Sequence, residues 1–188
     1  MPVHPLHAAI NKLSRLSQAE FEQLYARCQP KQCAPKERLH QAGDRIHGVY
    51  FVTKGFFAAY RLHDGREIYQ DFYFPGEFMT DISGLSTQQP SEVTLIALES
   101  SEAYFISRTD LLAMYELSNT FQTFGRLLLE QLLAHQTEMT MRQTTLTARE
   151  RYDYVLTQQP ELLQRVPLQC LSSYLGMTRE TLSRVRRG

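Results

Sequence analysis

Near its C-terminus the chain sets Thr178, Arg179, Glu180, Ser183, Arg184 and Arg187 at helical spacing. Arginine carries a fork of donors that can pair with O6 and N7 of guanine, and glutamate can accept from N4 of cytosine. Arg179, Glu180 and Arg184 would bring both kinds of contact to one helix face. Thr178, Ser183, Arg186 and Arg187 suit phosphate oxygens, whose contacts set orientation rather than sequence preference. A helix fits the major groove with its N-terminal residues toward the base edges, so this set is a candidate for reading double-stranded DNA. The plain alternative is a basic, solvated helix ending a bundle.

Other chemistry finds little support. Six histidines (His4, His7, His40, His47, His63 and His135) are scattered without ligand spacing. An oxygenase on a β-scaffold would need two histidines and a carboxylate converging on a metal, and the β-rich segment offers only His40, His47 and His63 with no His-x-His pair. The cysteines Cys28, Cys33 and Cys170 are too few and too far apart for an iron–sulfur cluster and read as small packed residues. Neither a phosphate-binding Gly-rich loop nor a nucleophile elbow is present. The expectation is a non-enzyme without cofactor or metal.

Composition places the chain among globular proteins. Of 188 residues, 43% are hydrophobic and 21% charged, enough apolar material for a real core. No apolar run approaches the length of a membrane span, the N-terminus lacks the features of a secretory signal, and an odd cysteine count fits a reducing compartment. A cytoplasmic protein with no membrane partner is expected. The formal charge is zero, but residues 1–141 carry 12 Lys/Arg against 16 Asp/Glu, and residues 142–188 carry 8 Arg against 4 acids. That asymmetry is the footprint of a basic module joined to an acidic one.

The elements that must position the C-terminal set are legible. Leu13, Leu16, Phe21, Leu24 and Tyr25 predict one or two amphipathic helices over residues 5–28, with Ser17 and Glu20 as a capping box. From Cys33 to Ile106, short runs rich in Val, Ile, Tyr, Phe and Thr predict an all-β sandwich or roll, with Asp64-Gly65 as a hairpin turn. Helix formers dominate after Arg108, and one long helix is predicted from about 119 to 146. Its stripe of Phe121, Phe124, Leu128, Leu132, Met139 and Leu146 is expected to pair two copies, with His135 and Gln131 close enough to set register. Pro160 is expected to break the next helix. Two short helices joined by Gly176-Met177-Thr178 should follow, with Leu171, Leu175, Met177, Leu182 and Val185 buried.

Gly176, Met177, Thr178, Arg179, Glu180, Thr181, Leu182, Arg184 and Val185 then satisfy, in order, the recognition-helix pattern of the Crp/Fnr family of bacterial regulators. The upstream HQAGDRIHGVYFVTKG and FYFPGEF are similar to that family's cyclic-nucleotide-binding β-roll, and the resemblance covers nearly the whole chain. It implies an α+β fold: a β-roll (double-stranded jelly roll) sensor over 1–118, a dimerisation helix over 119–147, and a helix-turn-helix over 148–188. It also implies base contacts from Arg179, Glu180 and Arg184, a homodimer meeting along Phe124, Leu128, Leu132, His135 and Met139, a palindromic operator, and RNA polymerase as a further partner. An effector pocket would involve Gly76, Glu77, Asp81 and Glu92.

The chain departs from the family in two places. Thr80 and Asp81 stand where the nucleotide cassette has a Gly-Glu pair, and its arginine position falls near Ser91 or Glu92. Between Arg66 and Arg108 there is no Lys or Arg against seven Asp/Glu, whereas a bound phosphate needs charge-assisted donors. Cyclic AMP and cyclic GMP are therefore not expected to bind through the usual cassette. The β-hairpin wing that commonly follows the recognition helix is also missing, so it is expected to be absent or truncated. The competing reading is a regulatory module whose β-roll takes a small ligand and whose helical tail makes protein contacts.

Overall fold

The computed structural model describes residues 4–187; residues 1–3 and 188, at the outer ends of the expected sensor and helix-turn-helix domains, lie outside the described residues. Two short helices open it, α1 (Pro5–Asn11) and α2 (Gln18–Tyr25). The expected capping box starts α2: the Ser17 hydroxyl accepts from the Glu20 amide and the Glu20 carboxylate accepts from the Ser17 amide. The Ser118 hydroxyl and then Ser17 hold the Glu20 carboxyl down at about 2.

Eight strands follow: β1 (Gln29–Cys33), β2 (Arg38–His40), β3 (Gly48–Lys54), β4 (Phe57–His63), β5 (Arg66–Tyr73), β6 (Phe78–Met79), β7 (Val93–Ala97) and β8 (Ser101–Ser107). They form two four-stranded sheets, ordered β1-β8-β3-β6 and β2-β7-β4-β5. The antiparallel β3–β8 pairing sets Tyr50 against Phe105 and Phe51 against Tyr104. Strand β3 reads as a continuous apolar run because both of its faces are covered. Tyr50 and Val52 join a cluster with Phe57, Met79 and Leu95. Phe51 points the other way, into a cluster with Leu6, Ile10, Leu24, Met114, Phe121 and Phe124. Each fully buried ring or aliphatic chain of this kind contributes about 1.5–3 kcal/mol.

Between β4 and β5, Asp64 (φ 49°) and Gly65 (φ 73°) make the two-residue turn that Asp-Gly predicted; positive φ at both positions is the type I′ pattern. Inside the segment read as all-β lies a helix, α3 (Ile82–Thr87), capped by Asp81, whose side chain accepts from the Ser83 amide. Its six residues are too few to show a helical period.

The remainder is helical: α4 (Arg108–Leu117), α5 (Asn119–Thr145), α6 (Ala148–Gln158), α7 (Pro160–Arg165), α8 (Leu168–Tyr174) and α9 (Arg179–Arg187). Pro160 does more than the expected break: it occupies the first position of α7, where its missing N–H costs nothing. The chain divides into two compact units. The first runs to Ala59 and resumes over Phe72–Glu130; the second joins Tyr60–Asp71 to the chain from Gln131 onward. The tip of the β4–β5 hairpin and the second half of α5 thus belong with α6 to α9. Val155, Leu162, Leu171, Tyr174, Leu175 and Leu182 are buried in this second unit.

Candidate nucleic-acid interface

Helix α8 ends in a Schellman motif. Gly176 takes φ +62°, its amide donates to Ser173 O (3.0 Å), and the Met177 amide donates to Ser172 O (3.0 Å). This left-handed position favours glycine and turns the chain within three residues. Thr178 then caps α9, its hydroxyl accepting from the Thr181 amide at 3.1 Å. Leu171, Leu175 and Leu182 are buried between the two helices' inner sides, while Met177 and Val185 are half-buried.

At roughly 100° per residue, Glu180, Ser183, Arg184 and Arg187 fall within an arc of roughly 100°, with Leu182 opposite and Arg179 at the edge. Arg179, Glu180, Ser183, Arg184 and Arg187, together with Leu168, line one open recess of about 680 Å³. Arg184 makes no hydrogen bond or ion pair among the described residues. The Glu180 carboxyl lies below its ordinary range, held by its own backbone N–H and by the Thr178 side chain, and is therefore an acceptor at neutral pH.

Three anchors that hold this pair of helices were not evident in the sequence. Arg149 pairs with Asp153 (2.9 Å) and donates from Nη1 to Val185 O (3.2 Å), tying α6 to the C-terminal turn of α9. Arg151 donates to Leu146 O (2.7 Å) and to Gly176 O (3.4 Å), joining the end of α5 to the turn before α9. Ser173 on α8 accepts from the Tyr69 amide (3.0 Å) and donates to Glu67 O (3.0 Å) on the hairpin tip. Each links residues distant in sequence, so no local pattern announces it.

On α5 the residues expected to pair two copies differ in exposure: Phe124 is core, while Leu128, Leu132, His135 and Met139 are half-buried. Phe124 is only 3% exposed and sits in the first unit's core, with Leu128 packed against the same cluster. Leu132 is half-buried. His135 pairs with Asp71 at 3.0 Å, and Met139 sulfur accepts from the Tyr174 hydroxyl at 3.3 Å. Phe124 in particular has almost no surface to give a second copy. The face roughly 100° further round α5 carries Leu129 (42% exposed) and Leu133 (48%). Along it the Thr137 and Thr140 hydroxyls donate back to the Leu133 and Gln136 carbonyls.

The residues expected around an effector are spread over different settings. Gly76 (φ +98°) and Glu77 lie in the exposed β5–β6 turn, where the Glu77 carboxylate accepts from the Phe74 amide at 2.7 Å. Asp81 is buried and already occupied: one carboxylate oxygen accepts from the Ser91 hydroxyl (2.7 Å), the other from the Ser83 amide (3.1 Å). A Cβ on Gly84 would come within 2.6 Å of that carboxylate. Glu92 is exposed. Buried His40 lies close enough for Asp44 and Asp81 to act on it, though burial dominates and pulls its pKa down. The fold also brings the backbone of Arg45 opposite Pro90, a cation that the count between Arg66 and Arg108 could not include.

Burial raises all three thiols, Cys28 to about 12 and Cys33 and Cys170 in the same direction, so each is protonated at neutral pH. No group of three or more metal-ligating side chains gathers among the described residues, and no described helix is long and apolar enough to cross a membrane.

Residues 30–118 match the family profile of the cyclic nucleotide-binding domain. No curated protein sequence matches the chain. Among solved structures, FixK2 from Bradyrhizobium japonicum is 21% identical, covers 85% of this chain and 83% of its own, and superposes with a TM-score of 0.70. The c-di-GMP-responsive global regulator CLP of Xanthomonas campestris is 22% identical over 91% of this chain and 90% of its own, with a TM-score of 0.70. A Crp/Fnr-family protein from Eubacterium rectale is 17% identical over 92% and 82%, with a TM-score of 0.69. At such identities the likeness establishes a common fold.

Proposed function

We propose that this chain, which carries a cyclic nucleotide-binding domain and has the fold of the Crp/Fnr regulators, is a homodimeric transcription regulator that reads double-stranded DNA through α9. One observation carries the reading. A capped helix, seated by Leu182 and the Gly176 turn, gathers Arg179, Glu180, Ser183, Arg184 and Arg187 around a single open recess. Arg179, Glu180 and Arg184 take the base edges; Ser183 and Arg187 take phosphates, and Thr178, its hydroxyl spent on the cap, sets the start of α9 beside the backbone.

Residues 1–118 act as sensor, 119–147 as dimerisation helix and 148–188 as DNA-binding domain. Two copies pair along the Leu129–Leu133 face of α5, presenting two α9 helices to half-sites about one helical turn apart. RNA polymerase is the further partner of such a regulator. Cyclic AMP and cyclic GMP are not its effectors, because no Lys or Arg lies between Arg66 and Arg108 to hold a phosphate and the Asp81 carboxylate, accepting from Ser91 and Ser83, stands in the cassette region. The effector acts by shifting the population between two arrangements of the paired recognition helices.

The test is selection from randomised duplex DNA with the purified protein at two salt concentrations, followed by sequencing. An enriched palindrome is expected. Binding without enrichment that vanishes at the higher salt would reduce α9 to an electrostatic patch; absence of binding would favour a module acting through protein contacts.

A further inference from the structure

Two arginines of the second compact unit meet at a small cavity of about 20 Å³, whose lining contains no carboxylate. Arg142, near the end of α5, stacks its guanidinium 4.2 Å from the centre of the Tyr154 ring. Arg151, in the first turns of α6, spends its terminal nitrogens on backbone carbonyls: Nη1 on Leu146 O and Gln143 O, Nη2 on Gly176 O. Arg142 Nη2 and Arg151 Nε remain, and both are buried with no protein acceptor. Neither guanidinium forms an ion pair with a carboxylate among the described residues.

The aromatic face and the helix-end carbonyls supply only partial negative charge. Two full positive charges thus line one site that no carboxylate lines, and each keeps one buried nitrogen without an acceptor. Met139, Val155, Leu175 and the tyrosines Tyr154 and Tyr174 make most of the remaining lining, with Gln143 its polar member; apolar surroundings strengthen a charge interaction.

We propose that this cavity binds one small monovalent anion of chloride size, held between Arg142 Nη2 and Arg151 Nε. The size sets the class: a water-sized sphere needs about 10–15 Å³ of such volume, so the enclosed part of the site matches one small ion. The bound anion joins the last turn of α5 to α6 and to Leu175, the residue before the Gly176 turn. It thereby stiffens the seat of α9, and this holds whether or not α9 reads DNA.

Two measurements on the full chain test the site. In crystals grown in bromide, an anomalous peak is expected between Arg142 and Arg151. In thermal unfolding at constant ionic strength, replacing the much larger anion gluconate with chloride at ten times its Kd should raise the midpoint by about 3–6 °C. In Arg142→Met that rise should disappear. A water molecule in the cavity with no anomalous peak would overturn the proposal, as would an equal rise in Arg142→Met. The bromide experiment uses the unsubstituted protein and stands even if the variant folds poorly.

Discussion

Replacing Arg184 by alanine separates base reading from mere charge on α9. Arg184 is exposed, lines the recess with Arg179 and Glu180, and makes no hydrogen bond or ion pair among the described residues that its removal would break. It lies five residues beyond Arg179, about 7.5 Å along the helix axis, which spans about two base pairs at roughly 3.4 Å each. A bidentate arginine–guanine pair is worth about 1–3 kcal/mol. A dimer loses two such pairs, about 2–6 kcal/mol, or roughly 30-fold to 10⁴-fold in affinity. The readout is fluorescence anisotropy on the selected operator and on variants at each position. Arg184→Ala should lose affinity on the operator, relax the preference at one position per half-site, and leave the melting temperature unchanged. Arg187→Ala, removing a phosphate contact, should weaken all sequences alike and lower the salt slope by about one per protomer. If Arg184→Ala weakens operator and random DNA equally, with preference intact, the residue is only a charge and the assignment of base contacts fails.

Other outcomes follow from the same geometry. Leu129→Asp or Leu133→Asp should convert dimer to monomer in sedimentation experiments, whereas an unchanged dimer would place the interface elsewhere; Phe124→Asp should instead impair folding, since Phe124 is core. Calorimetric titration with cyclic AMP or cyclic GMP should show no saturable heat, and micromolar binding of either would overturn the reading of Asp81. Leu182→Ala, at a fully buried position, should cost about 2–5 kcal/mol in denaturant unfolding and weaken DNA binding as α9 loosens; a cost below that range would mean α9 is held mainly by Arg149. Glu20 has a folded pKa depressed from 4.5 to about 2, so its contribution is present above about 4.5 and lost as pH falls toward about 2. Glu20→Gln should therefore flatten the acid limb of stability against pH, and an unaltered limb would remove Glu20 from that role.

What the sequence by itself determined is what depends on near neighbours. The capping box of Ser17 and Glu20, the Asp64-Gly65 turn, the strand texture of β3, β4, β5, β7 and β8, the extent of α5 and the α8–turn–α9 pattern are all set by residues within a few positions of one another. Backbone preference and side-chain period act at that range. The six-residue α3 is too short to show a period, and Pro160 reads only as a break although the same ring also begins α7. Only the tertiary structure decided which face of α5 is inward. Its apolar stripe is wide enough for two uses, and only the positions of Met114, Asp71 and Tyr174 show that Phe124 is core and that Leu128, His135 and Met139 have intrachain partners, while Leu129 and Leu133 are exposed. The same holds for Asp81 against Ser91, Arg45 opposite Pro90, Ser173 on the hairpin tip, and the meeting of Arg142 with Arg151. Each joins residues that the linear pattern treats independently, and their energy exists only once the fold has brought them within hydrogen-bonding or van der Waals range.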